Sequence, residues 1–578
     1  MRQISTGSYG FRQGESVRKW VSDEYCFDLG PHSRVISTDS VEAQVWFDRA
    51  LNWSYAFSRE EAHRCFEKVV EHDPNCAIGY WGLAYSLGPY YNGPWDQMPV
   101  PVREDVNRRV HGFISEAQKH VESASPAERA LIDAYSARCP LSSNDDLDIY
   151  AQWDDDYASA MRAVAEGFQE DDDVLALAID ALMCRTPWQL WDLENRMPAE
   201  GASTVEAMEL LDTALGRIER EERPPHPGLL HFKIHLMEMS PTPEAALPEA
   251  NVLRTLIPDA AHLVHMPSHL YVLCGLFQEA LDSNIEAVEA DEKYVSVNPE
   301  IGIYSIYMLH NLHFQMYAAM FLGQYEPAIR AADQIWDVVT PASLLHENEF
   351  LVNYLEAFYG MKVHVYIRFG KWHALIDEPM PSDPELFCVT TALWHYAKGV
   401  AYAATGDIKN AEAQQSLFGE AFERVPEERK VFNNESREML EVGELMLAGE
   451  LEYRRENFDE AFDLLRQCVE RYDRLNYSEP WVWMQPPRHA LGALLLEQGR
   501  VEEAGAVYRA DLGLDDVLVR PSQHPGNVWA LHGYHECCEL LGRTEEAVEI
   551  QRQLVIANAK ADSEVSSSCF CRQPDSCC

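Results

Sequence analysis

The sequence predicts an all-α solenoid. Three observations carry the prediction: a small residue, mostly alanine, recurs in the second helix of successive hairpins; a glycine stands five residues before it in several copies; and strand patterning is almost absent. With 578 residues, 47% of them hydrophobic, the chain can bury a large core without a separate second domain.

The elements follow in order. Residues 44 to 74, "QVWFDRALNWSYAFSREEAHRCFEKVVEHDP", place Ala62, Phe66 and Val69 on one face of a second helix and stop it at Asp73-Pro74. That is the tetratricopeptide pattern. It recurs at Ala246 with Pro258, and at Ala280, Ala328, Ala411, Ala461, Ala504 and Ala547. Gly275, Gly323, Gly406, Gly499 and Gly542 precede five of these alanines where the chain must turn. The clusters "LGPYYNGPW" and "EERPPHPG" read as insertions between repeats. Roughly ten to twelve hairpins result. They divide into an N-terminal extension (1–40), N-terminal hairpins (41–135), hairpins with an insertion (136–222), central histidine-rich repeats (223–342), C-terminal repeats (343–561) and a cysteine-rich tail (562–578).

Charge and segment type exclude several functions. Lys and Arg total 47 against 94 Asp and Glu, a formal charge of -47 that repels phosphate backbones and anionic membranes, so nucleic acid is not an expected partner. The N-terminus lacks the apolar run of a signal peptide, and no transmembrane stretch is evident. The expectation is a cytoplasmic protein with reduced, scattered core cysteines.

The chemistry lies in the histidines. In repeat register, His231 and His235, then His262, His265 and His269, then His310 and His313 fall on the same phase of three consecutive first helices. Packing positions already carry Leu, Ile, Val and Phe, so seven imidazoles in phase are surplus to folding. Imidazole suits copper, zinc and iron, whereas magnesium and calcium want oxygen ligands. The expectation is one or two transition-metal ions, copper first, with iron and zinc as alternatives. Glu238, three residues beyond His235, is the candidate catalytic carboxylate, as ligand or general base. The leading reading is therefore a copper- or iron-dependent oxidoreductase acting on a small molecule, aromatic or apolar if the rings of Trp81, Tyr85, Trp481 and Trp483 line its site. The alternative is a scaffold for a protein or peptide whose groove the histidines line. A zinc hydrolase is third, and no HExxH string supports it.

The strings "STDSVEAQVWF" (37–47), "YWGLA" (80–84), "GPYYNGPW" (88–95), "HPGLLHFKIH" (226–235), "AHLVHMPSH" (261–269) and "HNLHF" (310–314) occur in order. On them, nearly the whole chain resembles a group of tetratricopeptide-repeat proteins of bacteria and fungi. The resemblance implies a superhelix whose concave wall carries the imidazoles, and it marks His226 together with the seven as motif residues; it implies no reaction. Pro267, between His265 and His269, is expected to bend its helix. The tail "SSSCFCRQPDSCC" is read as a disordered end whose Cys569, Cys571, Cys577 and Cys578 could contact a soft metal.

Overall fold

The computed structural model describes residues 25–140, 147–299, 302–338 and 349–572. Helical hairpins follow one another along these residues, and the only paired strands among them are two-residue ribbons at Trp191–Asp192 with Met197–Pro198 and Lys430–Val431 with Asn434–Glu435. The fold is an all-α, tetratricopeptide-like solenoid, and two compact units divide it.

The first unit runs to Leu270 and includes Glu286–Tyr304. Its hairpins are Val41–Tyr55 with Arg59–His72, Ala77–Leu87 with Val100–Lys119, Pro126–Tyr135 with Leu147–Gly167, Asp172–Met183 with Thr204–Arg220, and Pro227–Met237 with Leu247–Leu256. Capping sets several starts. Ser40 and Asp171 each accept a backbone N–H with their side chains, and Ser125 with Glu128 forms a reciprocal capping box. Interlocking follows the repeat logic: Ala62, Phe66 and Val69 are fully buried, and a Cβ at Gly82 would meet the Phe66 ring at 2.2 Å. The small residue of "YWGLA" is therefore where the next repeat admits the aromatic ring of the previous one.

The second unit comprises Tyr271–Ile285 and the chain from Ser305. It contains the hairpins Cys388–Ala404 with Ile408–Phe422, Ser436–Arg454 with Phe458–Asp473, Pro487–Glu497 with Val501–Asp511, and Val528–Leu540 with Thr544–Lys560. The five expected turn glycines, at 275, 323, 406, 499 and 542, all have positive φ, between 68° and 83°. Left-handed backbone there closes each helix pair, which explains why glycine recurs five residues before the alanine.

The tail differs from expectation. Up to Arg572 it packs on the second unit: Ser568 donates to the His489 carbonyl at 2.9 Å, Arg368 donates to the Ser568 carbonyl, and the Phe570 ring meets Trp529. Cys571 is buried and joined to Cys569 by a disulfide. The run of small residues ending in Phe570 lets this segment fill a seam, a role its lack of periodicity concealed. Cys577 and Cys578 lie outside the described residues, as do residues 1–24 of the N-terminal extension.

Candidate metal centre

The centre begins with a helix start. His226 caps the helix Pro227–Met237, its Nδ1 accepting from the Leu229 N–H at 3.2 Å, and Pro227 takes the first helical position where no N–H is needed. With Nδ1 committed as acceptor, Nε2 carries the proton and donates to Asp173 Oδ1 at 3.1 Å. Tyr55 and Arg34 also donate to Asp173, at 2.7 and 3.2 Å, and His32 lies 3.0 Å from it. The motif residue His226 is thus a structural cap on a saturated carboxylate. It fixes the angle of the helix that carries His231 and His235.

One turn and two turns later, His231 and His235 project from that helix toward His262, and a ligand nitrogen from each of the three lies within 4.8 Å of the others. The rings are 0%, 0% and 4% exposed. His231 Nδ1 donates to the Tyr55 carbonyl at 2.7 Å, and His235 Nδ1 donates to Glu238 Oε1 at 2.9 Å. Each outer hydrogen bond selects the tautomer whose Nε2 holds the lone pair. Those two Nε2 atoms have no hydrogen-bond partner among the described residues. A buried, unpartnered ring nitrogen costs about 1–3 kcal/mol, a cost that a bound cation would relieve. Burial, and then the neighbouring imidazoles, hold His231, His235 and His262 well below the ordinary histidine range, so all three stay neutral, the form that binds metal.

The next two histidines adjoin this trio. The helix Ala261–His265 breaks at Met266, and a new helix starts at Pro267, as the proline predicts; the Ser268 hydroxyl donates to the His265 carbonyl at 2.6 Å. Across the break, His265 Nε2 and His269 Nε2 face each other at 2.8 Å. His269 Nδ1 donates to Glu238 Oε2 at 2.8 Å. Glu238 is fully buried, and its two oxygens hold one imidazole each. Its hydrogen bonds place it behind two rings, at the position where sequence reasoning expects a ligand or general base.

His310 and His313 belong to the second unit. His313 is buried against the rings of Phe358 and Phe432, neither of its nitrogens has a hydrogen-bond partner among the described residues, and burial first, then His364, pushes its pKa down to about 3. His310 packs against Phe314 and Phe432. Of the aromatic residues expected to line a substrate site, Trp81 stacks on Tyr85 at 5.0 Å and Tyr85 donates to Asp180, while Trp483 covers His364 and lines a small cavity with Arg368, Tyr396 and His489. Trp481 is buried against Tyr472 and Tyr477.

Other rings surround the trio, and sequence reasoning missed them. Phe57 lies 4.6 Å from His231, 5.8 Å from His235 and 5.6 Å from His262, ring centre to ring centre. Its φ is 54°, and it stands five residues before Ala62, the position where other repeats place glycine. A buried aromatic residue in left-handed backbone is strained by about 1–2 kcal/mol, which its packing on the imidazoles must offset. The departure from glycine at this repeat position was the available signal. Tyr91, from the insertion "GPYYNGPW", lies 4.7 Å from His235, and Trp188, also left-handed at φ 61°, lies 5.1 Å from Tyr91. The result is a buried cluster of neutral imidazoles walled by aromatic rings, in which a cation would find nitrogen ligands.

No family model matches the chain, and no curated protein matches it. Among solved structures it is similar to the APC/C hetero-tetramer Cut9-Hcn1, at 11% identity and a TM-score of 0.30, covering 89% of this chain and 86% of that one. It is similar to yeast Tom70 at 12% identity and a TM-score of 0.29, covering 90% and 96%. For Naa15/Naa10 bound to HypK-THB the values are 10%, 0.20, 89% and 70%. At these values the likenesses carry nothing about the histidines or about function, for which the geometry of the first unit stands alone.

Proposed function

We propose that this is a metal-binding helical-repeat protein whose first unit holds a transition-metal ion on His231, His235 and His262. The observation that carries the reading is the pair of buried Nε2 atoms of His231 and His235, each aimed by a hydrogen bond on its opposite nitrogen and converging with His262 within 4.8 Å. An all-imidazole set of three suits copper, iron or zinc and leaves a coordination position open. Copper is the leading occupant, and bound copper or iron would supply redox chemistry toward dioxygen and a small, apolar substrate, making the protein an oxidoreductase. Zinc would instead support hydrolysis. The chain's own part is to hold three neutral rings, to fix the tautomers of His231 and His235 through Tyr55 and Glu238, and to exclude water with Phe57 and Tyr91.

A second reading, a scaffold for a protein or peptide, is favoured by the repeat architecture and by the charge of -47, which suits a basic segment. In that reading the groove contacts come from residues other than His231, His235, His262, His265, His269 and His313, which are buried. Metal analysis of protein purified without a histidine tag separates the two. Stoichiometric copper, iron or zinc, and a melting temperature that falls on chelation, are expected. Metal-free protein with unchanged melting would leave the scaffold.

A further inference from the structure

Glu238 couples the trio to a second pair of rings. Its Oε1 takes the Nδ1 proton of His235 and its Oε2 takes that of His269. One buried carboxylate thereby leaves the Nε2 lone pair of both rings facing inward. His269 Nε2 then meets His265 Nε2 at 2.8 Å, with the ring planes at 81°. The two residues are four apart in sequence, and the Pro267 break lies between them. The pair is close to the trio: the His269 ring lies 6.3 Å from His235 and the His265 ring 6.0 Å from His262.

From this we infer that the first unit takes a second transition-metal ion of the same class, copper or zinc, on His265 and His269, beside the ion on His231, His235 and His262. The inference rests on the proposed metal-binding function. A carboxylate shared by the outer nitrogens of His235 and His269 is the expected support for two neighbouring ions, because it orients one ligand of each and its negative charge offsets part of their mutual repulsion.

Titration of full-length, tag-free, metal-stripped protein with cobalt(II), followed by absorption and checked by elemental analysis with copper, tests it. Wild type is expected to saturate at two equivalents, and a His265→Ala/His269→Ala variant with unchanged helical circular dichroism at one. Saturation of wild type at one equivalent overturns the second ion and leaves the first standing; the 2.8 Å contact is then a hydrogen bond between rings. Two equivalents retained in the double variant overturn the placement. Should that variant not fold, the wild-type end point and His265→Gln, expected to weaken only the second equivalent, decide the matter. No saturable uptake overturns both readings.

Discussion

Glu238 and Phe57 show how single residues tune the candidate centre. Glu238 accepts one proton on each oxygen, which requires a carboxylate: an amide offers one acceptor and sets an N–H against the other imidazole. Glu238→Gln is therefore expected to lower metal affinity by about 10- to 100-fold with the helical circular dichroism unchanged. Competition with a chromophoric chelator measures it, and unchanged affinity would remove Glu238 from the centre. The phase of the histidines was legible in the sequence because imidazole is rare on a helix that otherwise packs with Leu and Ala. The roles of Tyr55 and Phe57 were not. Tyr55 acts through its backbone carbonyl, which any residue supplies, and Phe57 acts by occupying a glycine position, which only the repeat register reveals.

At the scale of elements, the signature alanines at 62, 280, 328, 411, 461, 504 and 547 lie in second helices, whereas Ala246 ends a 3-10 turn and the hairpins between residues 77 and 220 carry no such mark. Gly275 and Gly499 separate the two parts of a turn glycine's steric work. Both are left-handed, at φ 74° and 71°, but a Cβ at Gly499 meets nothing within 4 Å, whereas one at Gly275 would lie 2.4 Å from the Pro525 carbonyl oxygen. Gly499→Ala should cost the conformational term alone, about 1–2 kcal/mol. Gly275→Ala should cost clearly more, since backbone must shift. Urea denaturation of the two variants checks the difference, and equal losses would contradict it. The insertions were harder to read. "GPYYNGPW" was recognisable as a break in the repeat, yet its delivery of Tyr91 to His235 depends on a non-local contact without periodicity. Pro267 announced a break, and the structure places it between His265 and His269.

For the whole molecule, buried histidines set the response to acid. Burial pushes His63 and His364 down to about 3 and His489 to about 4; further cationic neighbours act in the same direction on each, while Asp511 partly opposes it at His489. In the unfolded chain each titrates near 6.5, so between these values the unfolded state binds protons that the folded state refuses. Their contribution is complete above about pH 6.5 and is lost as pH falls toward 4, by about 1.4 kcal/mol per pH unit for each histidine. Denaturation midpoints at pH 7.5, 6.5 and 5.5 should be nearly level for the first pair and fall steeply to the third. A flat profile would contradict the burial of these rings. Among the described residues no helix is long and apolar enough to cross a membrane.

The central claim is that His231, His235 and His262 bind a transition metal. X-ray absorption at the metal edge of tag-free protein tests it most directly. The account predicts, in the His265→Ala/His269→Ala background that removes the second pair, a shell dominated by imidazole nitrogen at about 2.0 Å, with its multiple-scattering signature, that disappears on adding His231→Ala/His262→Ala. A shell of oxygen or sulfur, or an imidazole shell that survives that double substitution, would contradict it.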